Sequence, residues 1–158
     1  MLVGGGGEGA GAHRTNPNGA ARGRGRRIRG NIDLDDAVAL REAGFRHPIL
    51  LLEGFFEADE LPLFAEFALT PVVHTLEQTE MLTSAALPAQ LPVYLKLNTG
   101  MNRLGLSAEE FHPVLTALET TRCVGNITLM THYADADLER GIDWQMAHFE
   151  EVTQECDH

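Results

Sequence analysis

The chain has 158 residues, a formal net charge of −11 and 44% hydrophobic residues, which fits one acidic globular domain with a buried core. It has no run of about 18 apolar residues for a membrane helix and no secretory signal. Its two cysteines, Cys123 and Cys156, form neither a zinc pattern nor a disulfide framework, so we expect a cytoplasmic protein.

Residues 1–30 differ in composition from the rest of the chain. They hold most of the glycines and six arginines and carry a net charge of +5, whereas residues 31–158 carry −16. This segment has few large apolar side chains, and burying so few cannot offset the entropy lost when the segment is ordered. We therefore predict a disordered tail unrelated to the folded part at 31–158. An arginine arm on nucleic acid is the alternative, but the missing aromatics and the acidic body argue against a nucleic-acid partner.

From residue 31, apolar β-type runs alternate with helical periodicity, a pattern typical of βα units around a parallel sheet. Strands are predicted at 49–52, 72–74, 93–97 and 126–130. Helices are predicted at 35–43 and 58–67, after the capping residue Thr75, after the capping box Ser107 to Glu110, and from residue 143. We therefore predict an α/β fold of about four βα units, a partial (β/α)8 barrel whose inward side chains and two sheet edges lack partners.

Three side chains at predicted strand ends are candidates for chemistry, because α/β barrels gather functional groups there. Lys96, the one lysine of the chain, lies at the carboxyl end of the third strand, Arg103 follows seven residues later, and His132 follows the fourth strand. The alternatives are a solvated lysine, an arginine paired with an acidic residue, and a histidine satisfied by hydrogen bonds in the core.

Other polar residues carry weaker signals. His74 also ends a strand, but no second histidine lies at ligand spacing, so no metal site is expected. Asp135 and Asp137 suggest either a carboxylate pair for acid/base work or, more simply, caps of the helix that follows.

Three segments resemble one enzyme family. In the one-letter code these are LREAG leading to PILLLEGFF, LKLNTGMNRLG and MTHYADAD, at 40–56, 95–105 and 130–137. Over residues of about 31–155 the chain resembles the barrel domain of bacterial alanine racemase, a pyridoxal 5'-phosphate enzyme that supplies D-alanine for the cell wall. The four predicted strands correspond to the third to sixth of that barrel.

The resemblance implies a role for each matched residue. Arg103 matches an arginine near the cofactor's phenolic oxygen and the substrate carboxylate, and Lys96 matches an often carbamylated lysine that orients this arginine. His132 matches a histidine beside the pyridine ring, and Leu52 a residue lining the cofactor pocket. The resemblance further implies alanine as substrate and a homodimer as the assembly.

Two family groups have no counterpart in the 158 residues. The lysine motif that attaches the cofactor is absent, and so is the tyrosine base of the β-rich carboxyl-terminal domain. We therefore expect no catalytic residue here, and a truncated or frameshifted copy without activity alone. Two alternatives are a non-catalytic protein of cofactor binding or homeostasis and an interaction module that docks on an intact racemase.

Overall fold

A four-stranded parallel sheet organises residues 33–156, which are the residues that the computed structural model describes. The predicted tail at 1–30 lies outside them. The strands are β1 (Leu50–Leu51), β2 (Thr70–Val73), β3 (Leu91–Lys96) and β4 (Val124–Met130). The helices are α1 (Leu34–Glu42), α2 (Leu61–Glu66), α3 (Leu76–Ser84), α4 (Ala108–Glu119) and α5 (Asp143–Thr153).

The strands lie in the sheet in chain order, β1-β2-β3-β4, and every neighbouring pair is parallel. Each strand is followed by a helix, so the predicted succession of four βα units is confirmed. Val72 pairs with Tyr94, and Tyr94 pairs in turn with Thr128. The register of β3 and β4 shifts once, between Leu91 and Val93, and the parallel pairing still brings the carboxyl ends of consecutive strands to one edge of the sheet.

The two faces of the sheet differ in burial. Leu51, Val73 and Leu95 point toward the helices and belong to the apolar core. The residues that alternate with these along each strand point to the other side of the sheet, called here the open face. A groove of about 560 Å³ on this face is lined by Leu50, Thr70, Tyr94, Thr128 and Met130 among others. Parallel sheets normally have both faces covered, so an open face is what part of a barrel presents.

The predicted helix caps are present in the structure. The Thr75 hydroxyl accepts a hydrogen bond from the Gln78 amide at 3.1 Å. Ser107 and Glu110 form the reciprocal capping box of α4, with bonds of 3.3 and 2.8 Å. These caps lie within four residues of sequence, which is why the pattern alone predicts them.

Most element boundaries differ from the sequence predictions by one or a few residues, and three features of the elements stand out. The second helix begins as a 3₁₀ turn at Ala58–Glu60, and only Leu61–Glu66 is α-helical. Pro113 lies inside α4, beyond its first turn, and has no N–H to donate to the carbonyl of Glu109, an exposed residue whose carbonyl can bond to water instead. Strand β1 is two residues long because only Leu50 and Leu51 pair with β2. Within residues 33–156, no helix has the length and apolar character needed to cross a membrane.

Arg41 of α1 joins the first helix to the loop that precedes β2. Its buried guanidinium donates to the backbone carbonyls of Phe45, His47, Phe67 and Ala68 at 2.7 to 3.0 Å. Burial, and then the charge of a neighbouring arginine, lower the pKa of Arg41. Charged donors make the stronger hydrogen bonds, so these four bonds stabilise the amino-terminal part of the sheet.

We expect Arg41→Met to lower the free energy of unfolding by about 3 kcal/mol, because four partly buried carbonyls lose a charged donor. Urea denaturation followed by circular dichroism measures this change. Arg122→Met, at an exposed arginine, is the control and should change stability by less than about 0.5 kcal/mol. Equal losses in the two variants would contradict the role given to Arg41.

Candidate functional site

The last residue of β3, Lys96, is the centre of the candidate site. Its side chain lies on the open face, two residues after Tyr94, yet only 5% of its surface is exposed. Lys96 pairs with Met130 of β4, and His132 follows Met130 by two residues. Leu52, which is partly buried, likewise follows Leu50 of β1 by two residues. Lys96, at the end of its strand, and Leu52 and His132, just beyond theirs, therefore all lie at the carboxyl edge of the sheet.

The loop after β3 brings Arg103 back toward Lys96. The Asn98 carboxamide accepts from the amides of Gly100 and Asn102 at 3.0 Å each and closes the loop on itself. Gly105 has a φ of +133°, and a Cβ there would lie 2.7 Å from the Asn98 nitrogen. Only glycine fits this close return of the chain, which carries the exposed Arg103 next to the end of β3.

Lys96 and Arg103 are close enough to repel each other. Burial lowers the pKa of Lys96, and the charge of Arg103 lowers it further. Within residues 33–156 neither side chain forms a hydrogen bond or an ion pair. The alternative in which Arg103 pairs with an acidic residue therefore has no counterpart in this part of the chain. Two cations without an anionic partner make a site that attracts anions.

His132 belongs to the same electrostatic group. Burial is the main cause that lowers the pKa of its imidazole, followed by the charges of Lys96 and Arg103. The ring is partly buried, and its backbone carbonyl accepts a hydrogen bond from Gln145 of α5 at 3.0 Å. A neutral imidazole beside two cations is the state that this environment favours near neutral pH.

His74 is a fourth member that sequence reasoning did not assign to the site. It directly follows Val73, whose partner in β3 is Leu95, so His74 lies beside Lys96. Its Nε2 lies 3.0 Å from the Glu53 carbonyl and must carry the hydrogen, which leaves Nδ1 as an acceptor. This buried Nδ1 has no partner within residues 33–156. The available signal was its strand-end position, which the sequence analysis considered only for metal binding.

Burial is the main cause that lowers the pKa of His74, and the positive charge of Lys96 also lowers it. The carbonyl of Glu53 acts in the opposite direction, because it accepts a hydrogen bond from the ring. The structure thus brings His74, Lys96, Arg103 and His132 together at the carboxyl ends of β2, β3 and β4.

The loop aspartates do not cap α5, so that prediction is wrong. The residue before the helix is Ile142, which makes no side-chain cap, and Asp135 instead pairs with Arg140 at 4.0 Å. Residues 135–142 form turns closed by their own backbone bonds, which separate the aspartates from the helix. Residues 33–156 contain no group of three or more His, Cys, Asp or Glu side chains that could hold a metal ion.

The family profile described as Alanine racemase, N-terminal domain, matches residues 18–158. The chain belongs to this family. The match begins inside the segment predicted to be an unrelated tail, and the boundary at residue 30 stays a prediction. Among curated relatives, the alanine racemase of Paraburkholderia phytofirmans is 46% identical over 125 residues, which are 79% of this chain and 35% of that protein.

Solved structures agree with this family and confirm the barrel-type α/β fold. The biosynthetic alanine racemase of Pseudomonas aeruginosa superposes with a TM-score of 0.72 at 32% identity, over 78% of this chain and 35% of that one. The histidine racemase of Leuconostoc mesenteroides superposes with a TM-score of 0.65 at 28% identity, over 77% and 34%. The chain thus spans about a third of the length of these relatives.

We expect Lys96→Met to raise the pKa of both His74 and His132. Removing a positive charge makes it easier to add a proton to each nearby imidazole, so the sign of the change is fixed by Coulomb's law. Proton NMR titration of the imidazole Cε1–H signals measures both values. Unchanged pKa values for both histidines would contradict the proximity described here.

Proposed function

We propose that residues 33–156 form the part of an alanine racemase barrel that holds anionic oxygens of pyridoxal 5'-phosphate and of an amino-acid substrate. The carrying observation is the close approach of Lys96 and Arg103 without an anionic partner in this part of the chain. Such a pair is costly unless a ligand compensates it. A negatively charged cofactor and a substrate carboxylate supply that compensation.

The residues present fit this cofactor. Arg103 offers a planar donor fork for the phenolic oxygen or the substrate carboxylate, and His132 offers a neutral ring beside the pyridine. Leu52 supplies an apolar wall. When bound, pyridoxal phosphate withdraws electrons from the α-carbon of the amino acid and makes its proton more acidic.

Lys96 is proposed to orient Arg103. The low pKa that burial gives Lys96 increases the fraction of neutral amine, which is the form that reacts with carbon dioxide. In that reaction the amine nitrogen bonds to the carbon of carbon dioxide and releases a proton to solvent. The resulting carbamate carries a negative charge, so the repulsion between Lys96 and Arg103 becomes an attraction.

The 158 residues are proposed not to racemise alanine by themselves. Racemisation needs a base on each face of the α-carbon, and the one lysine of the chain is Lys96, which is close enough to Arg103 for its pKa to be lowered by that charge. Alanine as substrate, a homodimer as assembly and the cytoplasm as compartment belong to the same proposal. The likeness to a histidine racemase supports the proposal that these elements alone do not select the substrate side chain.

A second candidate function is docking on an intact racemase, and the open face of the sheet favours it. A partly exposed groove on a parallel sheet is a surface that another set of barrel strands covers well. Co-purification of the chain with a full-length racemase would support this candidate. A chain that stays monomeric and does not bind the racemase would contradict it.

We expect the chain to bind pyridoxal phosphate and Arg103→Met to weaken that binding by about ten- to hundredfold. This range corresponds to the loss of a charge-assisted hydrogen bond worth about 1.5–3 kcal/mol. Equilibrium dialysis measures the affinity at fixed salt. Arg122→Met is the matched control and should leave the affinity unchanged, so equal weakening in both variants would reject Arg103 as a ligand.

We expect no racemase activity from the purified chain with added pyridoxal phosphate. Proton NMR in D2O follows the loss of the alanine α-proton, and the rate should equal that of free cofactor because no paired bases are present. A full-length alanine racemase is the positive control. Exchange well above free cofactor that disappears in Arg103→Met would show that the chain is catalytic after all.

A further inference from the structure

Gln145 connects the two loops that carry Arg103 and His132. It is the third residue of α5 and is fully buried. Its Oε1 accepts a hydrogen bond from the Ala134 amide at 2.7 Å, and its Nε2 donates to the His132 carbonyl at 3.0 Å. The second Nε2 hydrogen goes to the Thr99 hydroxyl, 3.1 Å away in the loop after β3. One neutral side chain thus holds both strand ends.

The direction of every bond in this network follows from its partners. Thr131 donates its hydroxyl hydrogen to the Leu97 carbonyl at 2.9 Å, because a carbonyl can only accept. The Thr99 hydroxyl, 2.8 Å from that of Thr131, must therefore donate to it. Gln145 then donates to Thr99, and the chain of donors runs from α5 through both threonines to the end of β3.

Trp144 presses on the same loop from the neighbouring position of α5. Gly100 has a φ of +127°, and a Cβ there would lie 2.3 Å from the Trp144 ring, so the indole packs directly on the backbone. The guanidinium of Arg140 lies 3.8 Å from the centre of the same ring. The first turn of α5 therefore contacts the Arg103 loop through both packing and hydrogen bonds.

We propose that Gln145 is a positioning residue that fixes the loop bearing Arg103 against the backbone of His132, so that both groups meet one anionic ligand at a set distance. This inference rests on the proposed function. Binding groups act together only when their supporting contacts hold them within a fraction of an ångström, and a buried amide with all three bonds made supplies that restraint.

Gln78 is a natural comparison within the same sheet. It is the third residue of α3 and is buried, and its amide accepts from the His74 amide at 2.9 Å. It donates to the carbonyls of Glu53 and Phe55 at 2.9 and 3.0 Å. Like Gln145 it is a buried amide that bridges backbone groups, but its bonds hold the loop after β1 and His74, and reach neither Thr99 nor His132.

The first experiment needs no ligand and compares Gln145→Met with Gln78→Met in the full chain. Amide hydrogen exchange followed by NMR should accelerate at least about tenfold at residues 98–105 in Gln145→Met, with 53–56 unchanged. Gln78→Met should accelerate exchange at residues 53–56 and leave residues 98–105 unchanged. Gln154→Met, at an exposed position after α5, should change neither segment. If exchange accelerated equally at both segments in Gln145→Met and in Gln78→Met, Gln145 would have only a general structural role and the inference would be overturned.

The second experiment measures affinity for pyridoxal phosphate through quenching of Trp144, the one tryptophan of the chain. Gln145→Met should raise the dissociation constant about tenfold over wild type and over Gln154→Met when all are compared at equal folded fraction. If Gln145→Met does not fold, Thr99→Val is the alternative, because it removes only the Thr99 hydroxyl that bonds to Gln145 and Thr131. Thr99→Val should weaken binding similarly, whereas Thr99→Ser keeps a hydroxyl and should bind as wild type does.

The outcomes separate the two claims. A wild-type chain that does not bind pyridoxal phosphate contradicts the proposed function, while the exchange pattern still decides whether Gln145 positions the loop. Binding by wild type that Gln145→Met and Thr99→Val leave intact contradicts the inference alone.

Discussion

The rest of the site depends on one constraint, the electrostatic repulsion between Lys96 and Arg103. Two cations stay close only if the backbone forces them together, and here the tight return at Gly105 does so. The Asn98 side chain closes the loop by accepting hydrogen bonds from two backbone amides, so these bonds stabilise the turn and the cations do not. The folded chain therefore holds a charge arrangement that favours an anion before any ligand arrives.

Neutral amides hold this arrangement where carboxylates would cancel it. Gln78 and Gln145 occupy the third position of the helices after β2 and β4, and each satisfies three polar partners at the strand ends. A glutamate at either place would lose the two donated bonds and bring a buried negative charge toward Lys96. The chain is acidic as a whole, yet the interior beside its strand ends is kept free of acids in the part that the structure describes.

Local features of the fold were predictable, and long-range ones were not. The caps at Thr75 and Ser107 and the strand that ends at Lys96 are set by residues close in sequence, and their predictions are confirmed. Gln145 bonds to Thr99 across 46 residues, so no local pattern reveals it. The unpaired Nδ1 of His74 likewise depends on where the Glu53 carbonyl lies, which only the assembled sheet determines.

The open face sets how strongly the site can act. Arg103 is exposed and the groove beside Tyr94 is partly open to solvent, so water and salt screen the cations on that side. Burial is the main cause that lowers the pKa of Lys96, and the charge of Arg103 lowers it further because water screens a buried group less. The same two charges would attract an anion far more strongly if other barrel strands covered this face, because the interaction grows as water is excluded. The described elements thus supply the charges and their geometry, whereas the strength of binding depends on what covers the sheet.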